Sequence, residues 1–161
     1  MNARLLGLAW ALILSGCSGT SQPSPKAVDT AKFSAEVVAA AHAHITAFNA
    51  HDAEKAVSAA LPEVVVMFHG APNDVGVAAD LATTKAEVAD PLAHVDLSAE
   101  SVDVGGSDFA VYHSTYDYTL TDPKTKLAAH EHGNYLIGFK RQADGVLKIA
   151  WQIISDLPAP K

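Results

Sequence analysis

The second half of this chain restricts its fold most, because four stretches there have the composition of β-strands. They are rich in β-branched and aromatic residues, and paired turn-forming residues separate them at 105–106, 122–123 and 144–145. Strands that follow one another through short turns pair antiparallel, so this half predicts a four-stranded meander. The predicted strands span residues 94–104, 109–120, 127–140 and 146–155.

The first half has the periodicity of helices. Apolar residues recur every three or four positions between residues 31 and 49, which predicts an amphipathic helix. Asp52 is suited to cap a short second helix reaching about residue 60, and residues 84–87 have the pattern of a capping box that starts a third. An apolar run at 64–68 predicts a strand between them. Helices followed by a meander indicate the α+β class.

Length and charge limit the function of the folded part. The chain has 161 residues, 49% of them hydrophobic, which is enough for one domain with a full core. Its 11 basic and 18 acidic residues give a formal charge of −7. Because phosphate contacts need clustered Lys and Arg, which the sequence lacks, we expect no nucleic-acid partner. The sequence also has no phosphate-binding glycine loop, and we expect no cofactor.

The first 30 residues have the composition of a targeting segment followed by a tether. A short basic start and an apolar run at 5–14, too short for a membrane span, precede Leu14-Ser15-Gly16-Cys17. This ending resembles a bacterial lipobox, in which cleavage precedes a cysteine that is then lipidated. The resemblance implies a signal peptide at 1–16 and a lipidated Cys17. The small, polar and proline-bearing composition up to residue 30 predicts a tether, followed by a domain at 31–157 and a tail at 158–161.

The residue after the cysteine is Ser18, which resembles the default for sorting to the outer membrane. We therefore expect a protein anchored there by lipid and facing the periplasm. The alternative is an ordinary signal peptide in which Cys17 is incidental. Since Cys17 is the only cysteine, no disulfide can form within the chain.

Two further motifs are F-N-A-H-D-A-E at 48–54, and G-N-Y-L-I-G-F-K-R at 133–141 with D-G-V-L-K-I at 144–149. The first resembles the first helix junction of the nuclear-transport-factor-2-like superfamily, and the second resembles its last hairpin. The resemblance covers residues 31–156 and is greatest to SnoaL-like polyketide cyclases and the domain of unknown function 4440. It implies three N-terminal helices packed on a strongly bent antiparallel sheet, which form a cone with an internal pocket.

The two central strands determine which side chains face this pocket. If residues 121–126 form the turn, Leu120 opposes Leu127 and Glu131 opposes Tyr116. The more apolar face, which carries Glu131, is then the inner one. A carboxyl in an apolar cavity tends to have a raised pKa and can act as a general acid or base. Alternatively, Glu131 reaches water at the end of its strand.

The same register places His130 and His132 on the outer face. A slip of one residue would turn both inward, where imidazoles two residues apart on a strand can reach one metal ion. The alternative reading is therefore a metal site formed by His130, His132, His113 and Asp117. Two histidines alone lack the third ligand that a catalytic zinc requires.

The ketosteroid isomerases share the fold that the resemblance implies, and His44 corresponds to the tyrosine of their first helix. The isomerase base would fall near Met67 or Phe68 and the second oxyanion donor near Ile137. Because these residues are apolar, we do not expect steroid isomerisation. His44 is then either a core histidine with a satisfied hydrogen bond or an acid–base partner of Glu131.

These observations predict a pocket for a small, largely apolar ligand. Two other functions stay open: an acid–base enzyme of the isomerase, cyclase or dehydratase type with Glu131 and His44 as catalytic residues, and a structural module. The structural module would be a homodimer that pairs through the outer face of the sheet. The predicted pocket residues are His44, Tyr112, Tyr116, Glu131, Tyr135 and Trp151.

Overall fold

The computed structural model describes residues 28–157. The predicted signal peptide, Cys17 and the tail therefore lie outside the described residues. Within them, no helix combines the length and hydropathy needed to cross a membrane. The elements are α1 Thr30–Asn49, α2 Ala53–Val57, β1 Ala60–Phe68, β2 Asp74–Val75, α3 Val77–Val88, β3 His94–Val104, β4 Phe109–Thr121, β5 Ala128–Arg141 and β6 Leu147–Asp156.

The six strands form one sheet in the order β2-β1-β6-β5-β4-β3. The predicted meander from β3 to β6 is confirmed, and every pair in it is antiparallel. Strand β1 joins β6 in the parallel direction, and the short β2 adds an antiparallel edge. Three helices against a curved sheet confirm the predicted α+β class and cone architecture.

The first two helices begin as predicted. α1 buries its apolar stripe, including Phe33, Val37 and Phe48, against the sheet. Asp52 caps α2 by accepting a hydrogen bond from the backbone N–H of Lys55 at 3.0 Å. α2 is shorter than expected because the chain enters β1 at residue 60, where it pairs with β6.

The predicted start of the third helix was wrong. α3 begins at Val77, directly after Gly76, whose φ of 85° ends the preceding extended segment. Thr84 lies inside this helix, and its hydroxyl points to the side chain of Asp80 at 3.5 Å instead of capping a terminus. A Ser/Thr-x-x-Glu pattern thus also occurs in a helix interior, where it places polar groups on one face.

The register between β4 and β5 differs from the prediction by two residues. Glu131 lies opposite Tyr118, where Tyr116 was expected. The turn occupies residues 122–127, because the Asp122 carboxylate accepts hydrogen bonds from the backbone N–H groups of Lys124 and Thr125 at 2.8 and 2.6 Å. A shift of two residues preserves the face of every side chain, so the predicted inner and outer faces hold.

Strand β6 contains a bulge that the sequence did not reveal. Gly138 pairs with Trp151 and Phe139 with Ile149, so Ala150 is an extra residue on β6. The bulge changes the phase of alternation, and Trp151 lies on the outer face while Ile149 is buried inside. The prediction that Trp151 faces the internal pocket was therefore wrong.

Candidate functional site

A cavity of about 580 Å³ lies between the helices and the inner face of the sheet. This volume is typical of pockets that hold small molecules. Most of its wall is apolar or aromatic, and ionisable groups from several elements interrupt that wall. The apolar side chains include Ile45, Phe48, Val66, Phe68, Val95 and Ile154.

Four of the six predicted pocket residues line this cavity, namely His44, Tyr116, Glu131 and Tyr135. Tyr112 does not, since its ring is fully buried in the core and its hydroxyl donates a hydrogen bond to Glu100 at 2.8 Å. Trp151 does not either, because the bulge turns it to the outer face.

His44 is held as a neutral imidazole. Its Nδ1 lies 3.1 Å from the carbonyl oxygen of Ala56 and must donate there, because a carbonyl only accepts. Burial lowers the pKa of His44, although the hydrogen bonds with Ala56 and Gln152 act in the opposite direction. The Nε2 atom of such a tautomer is an acceptor. His44 can therefore take a proton from a ligand but holds it weakly.

Two tyrosine hydroxyls in the wall are fixed by β6. Tyr116 donates to the carboxylate of Asp156, and Tyr135 donates to the side-chain carbonyl of Gln152. Gln152 is buried and also interacts with His44, so it links β5 to α1. These hydrogen bonds orient the polar atoms of an otherwise apolar wall.

Glu131 lies at the exposed end of the cavity. Burial raises its pKa above the ordinary value of 4.5, and the nearby charge of Asp156 adds to the rise. Glu131 is nevertheless exposed to solvent. It therefore both lines the cavity and reaches water at its rim, which combines the two alternatives predicted from the sequence. Glu131 faces the cavity from its rim, opposite Tyr118.

The sequence reasoning missed the most strongly perturbed carboxyls, which belong to α3. Burial raises the pKa of Asp80 from 3.8 to about 6, and the charge of Asp74 contributes. Burial likewise raises the pKa of Glu87 from 4.5 to about 7, with contributions from Asp80 and Asp74. All three residues line the cavity. Because of the raised pKa values, the carboxyls of Asp80 and Glu87 are partly protonated near neutral pH.

A sequence signal for these residues exists. Asp80, Thr84 and Glu87 are spaced by four and three positions, which puts them on one side of a helix. The buried residues of α3 are Asp80, Thr84 and Val88, so its inward face is largely polar. Because the third helix was predicted to start at residues 84–87 and not at Val77, Asp80 fell outside it and the polar stripe was not recognised.

The four residues of the alternative metal site are not brought together. His132 pairs with Asp117, and His130 pairs with Thr119, whose hydroxyl lies 3.2 Å from the imidazole. His113 lies farther along β4, opposite Leu136, and contacts Asp103 at 2.9 Å. Across residues 28–157, no group of three or more His, Cys, Asp or Glu side chains is arranged to hold a metal ion.

No family model and no curated protein matches this chain. Solved structures do match, and three illustrate the likeness. A ketosteroid isomerase-like protein from Erwinia carotovora atroseptica superposes with a TM-score of 0.69 at 22% identity, covering 77% of this chain and 95% of the other.

A candidate dehydratase of the NTF2-like family from Streptomyces avermitilis gives a TM-score of 0.68 at 20% identity, covering 78% and 96%. An NTF2-like protein from Novosphingobium aromaticivorans gives 0.64 at 17%, covering 78% and 82%. At these identities the likeness establishes a fold and not an activity. The domain has the nuclear-transport-factor-2-like fold.

Proposed function

We propose that this protein is a lipid-anchored, periplasm-facing protein whose nuclear-transport-factor-2-like domain, of the SnoaL-like branch, binds a small, largely apolar molecule. The observation that carries the proposal is the cavity of about 580 Å³, whose apolar wall contains a few oriented polar groups. A pocket of this kind obtains affinity from apolar contact and specificity from the polar groups. The buried hydrogen bond between Tyr135 and Gln152 keeps the wall preorganised.

The test is to fill the cavity without disturbing the core. Thr83 lines the cavity from α3 and is only partly buried, whereas the neighbouring Ala82 is exposed and lies outside the lining. Thr83→Trp should abolish binding of the neutral, environment-sensitive dye Nile red, and Ala82→Trp should preserve it. Equal dye fluorescence in both variants and the wild type would contradict the proposal.

A second candidate function is acid–base catalysis on the bound molecule. It is favoured by the presence of neutral His44 and Glu131, with its raised pKa, around one cavity. Once a ligand is identified, NMR of the ligand should reveal its conversion by the wild type and not by Glu131→Gln. Recovery of unchanged ligand from the wild type would exclude this candidate.

The outer face of the sheet supports a third proposal, a homodimer. Val111, Leu136, Trp151 and Ile153 form a partly exposed apolar surface there. Sedimentation of the domain should give a dimer mass that Leu136→Lys converts to a monomer mass. A monomer for the wild type at high concentration would exclude pairing.

A further inference from the structure

The charged groups around the cavity are unbalanced. Five carboxyl side chains belong to its wall, whereas the described residues of the wall include no Lys or Arg. Bringing carboxylates together in a partly desolvated space is unfavourable, since each raises the cost of ionising the others. The five residues are Asp74, Asp80, Glu87, Glu131 and Asp156.

Asp80 is the clearest case of an acceptor without a donor. Its side chain is buried, with 6% of the residue exposed, and its Oδ2 atom makes no hydrogen bond within the described residues. Its Oδ1 atom has only a long contact of 3.5 Å with the Thr84 hydroxyl. The Oδ2 atom of Asp74, on β2 beside α3, is likewise buried and has no partner among residues 28–157.

Buried acceptors of this kind normally have partners, because leaving one unpaired costs about 1–3 kcal/mol. A neutral apolar ligand would leave both oxygens unpaired, and an anionic ligand would add repulsion. A ligand that brings several N–H donors and a positive charge would satisfy both carboxyls at once. A primary ammonium group has three such donors.

We infer that the cavity binds a primary amine in its protonated form, carried on an apolar body, with the ammonium group between Asp74, Asp80 and Glu87. This inference rests on the proposed function as a ligand-binding pocket and specifies the class of ligand. A bare metal ion fits less well, because the described residues provide no cluster with metal-ligand geometry. The aliphatic and aromatic side chains of the wall suit the rest of an organic cation.

Amine binding should be coupled to proton release. The pKa values of about 6 for Asp80 and about 7 for Glu87 mean that both are partly protonated near neutral pH without ligand. A cation favours their charged forms, so binding expels protons and tightens as pH rises through this range. The other titratable groups facing this end are His44 of α1, His69 after β1, Asp74 of β2, Tyr118 of β4, Glu131 and Tyr135 of β5, and Tyr116 and Asp156 at the β4 and β6 walls.

Four of these other groups, His44 and the three tyrosines, stay uncharged as the pH rises through this range. Burial raises the pKa of Tyr118 to about 12 and those of Tyr116 and Tyr135 still further, so the tyrosines stay neutral. Burial lowers the pKa of His44, so it too is uncharged when the pH rises. The carboxyls of Asp80 and Glu87 therefore change charge in this pH range, whereas the three tyrosines and His44 do not.

The experiment compares tryptamine, its neutral analogue tryptophol and the anion indole-3-acetate by isothermal titration calorimetry. At about pH 8 tryptamine should bind tighter than tryptophol by about tenfold or more, the range of one charge-assisted hydrogen bond, and indole-3-acetate should bind weakest. The preference for tryptamine should shrink at about pH 5. Titrations at about pH 6.5, where both carboxyls are partly protonated, in buffers of different ionisation enthalpy should show protons released with tryptamine only.

Asp80→Asn should reduce the preference for tryptamine over tryptophol to near unity. Glu63→Gln is the matched control, because Glu63 is exposed on β1 outside the cavity and its loss removes the same charge. A preference that survives Asp80→Asn, or equal affinities for the three compounds at about pH 8, would overturn the inference.

The two proposals fail in different ways. If Nile red binds and Thr83→Trp blocks it, but tryptamine has no advantage or does not bind, the pocket stands and the amine inference is wrong. If Thr83→Trp leaves the binding of Nile red and of all three indole compounds unchanged, the proposal that the cavity binds ligands is wrong. The amine inference, which depends on that proposal, is then wrong as well.

Discussion

Trp151 lies directly opposite Gly138 on the outer face of the sheet, and its indole ring occupies the space that a side chain at position 138 would need. A Cβ atom there would come within 2.2 Å of the ring. Gly138→Ala should therefore force the indole aside and lower the free energy of unfolding by about 1–3 kcal/mol, the usual cost of overpacking. Urea unfolding followed by circular dichroism measures the loss.

The double variant Gly138→Ala/Trp151→Leu is the control for this contact. If the clash with the indole causes the loss, Gly138→Ala should cost less in the Trp151→Leu background, and the double-mutant cycle should show coupling. Additive effects would mean that the backbone at Gly138, and not the ring, sets the cost.

The carboxyl of Asp80 predicts an unusual pH dependence of stability. Its pKa is about 6 in the folded protein, above its ordinary value of 3.8, so the folded state binds the proton more tightly than the unfolded chain. The contribution of Asp80 to stability is fully present below pH 3.8 and is lost as pH rises through about 6. Asp80→Asn should thus stabilise the domain near pH 8, by up to about 3 kcal/mol, and have little effect near pH 4. A destabilised variant at pH 8 would contradict this account.

Glu131 should titrate above its ordinary value of 4.5, because burial at the cavity rim disfavours its charged form. Its contribution to stability should be greatest at low pH and decline as pH rises through the folded pKa, so Glu131→Gln should be neutral or stabilising near pH 7. Carboxyl-carbon NMR titration measures the pKa directly. Tyr116→Phe should remove the hydrogen bond that Tyr116 donates to the Asp156 carboxylate.

The outer-face histidines should be dispensable for stability. His130 is exposed, and neither it nor His132 lines the cavity. Replacing both with Gln should change the free energy of unfolding by less than about 0.5 kcal/mol. Purified wild-type protein with stoichiometric zinc or copper that a chelator removes, and that the double variant lacks, would contradict the assignment of these residues to the outer face.

Processing at Cys17 is testable by mass spectrometry of the protein from membranes of a bacterial host. The lipobox resemblance predicts a mature chain that begins at a lipidated Cys17, whereas Cys17→Ser should yield unlipidated precursor or soluble protein. A wild-type mature chain that is unmodified and starts elsewhere would exclude the lipid anchor.

The sequence by itself determined the class of fold and the faces of the central strands. The apolar stripe of α1, the Asp52 cap and the turn residues of the meander act over a few neighbouring positions, so local patterns reveal them. The period of two in β4 and β5 also placed Glu131 and Tyr116 inside. Even a turn displaced by one residue left those faces unchanged, because it moves the pairing by two.

Only the tertiary structure decided which residues share the cavity. The bulge at Ala150 arises where β6 pairs with β5, and it turns Trp151 outward although its local sequence matches a regular strand. Asp80 and Glu87 become a perturbed pair only because α3 packs against the sheet beside Asp74, which removes their carboxyls from water. Desolvation and charge coupling depend on distances between elements remote in sequence, and local periodicity carries no information about those distances.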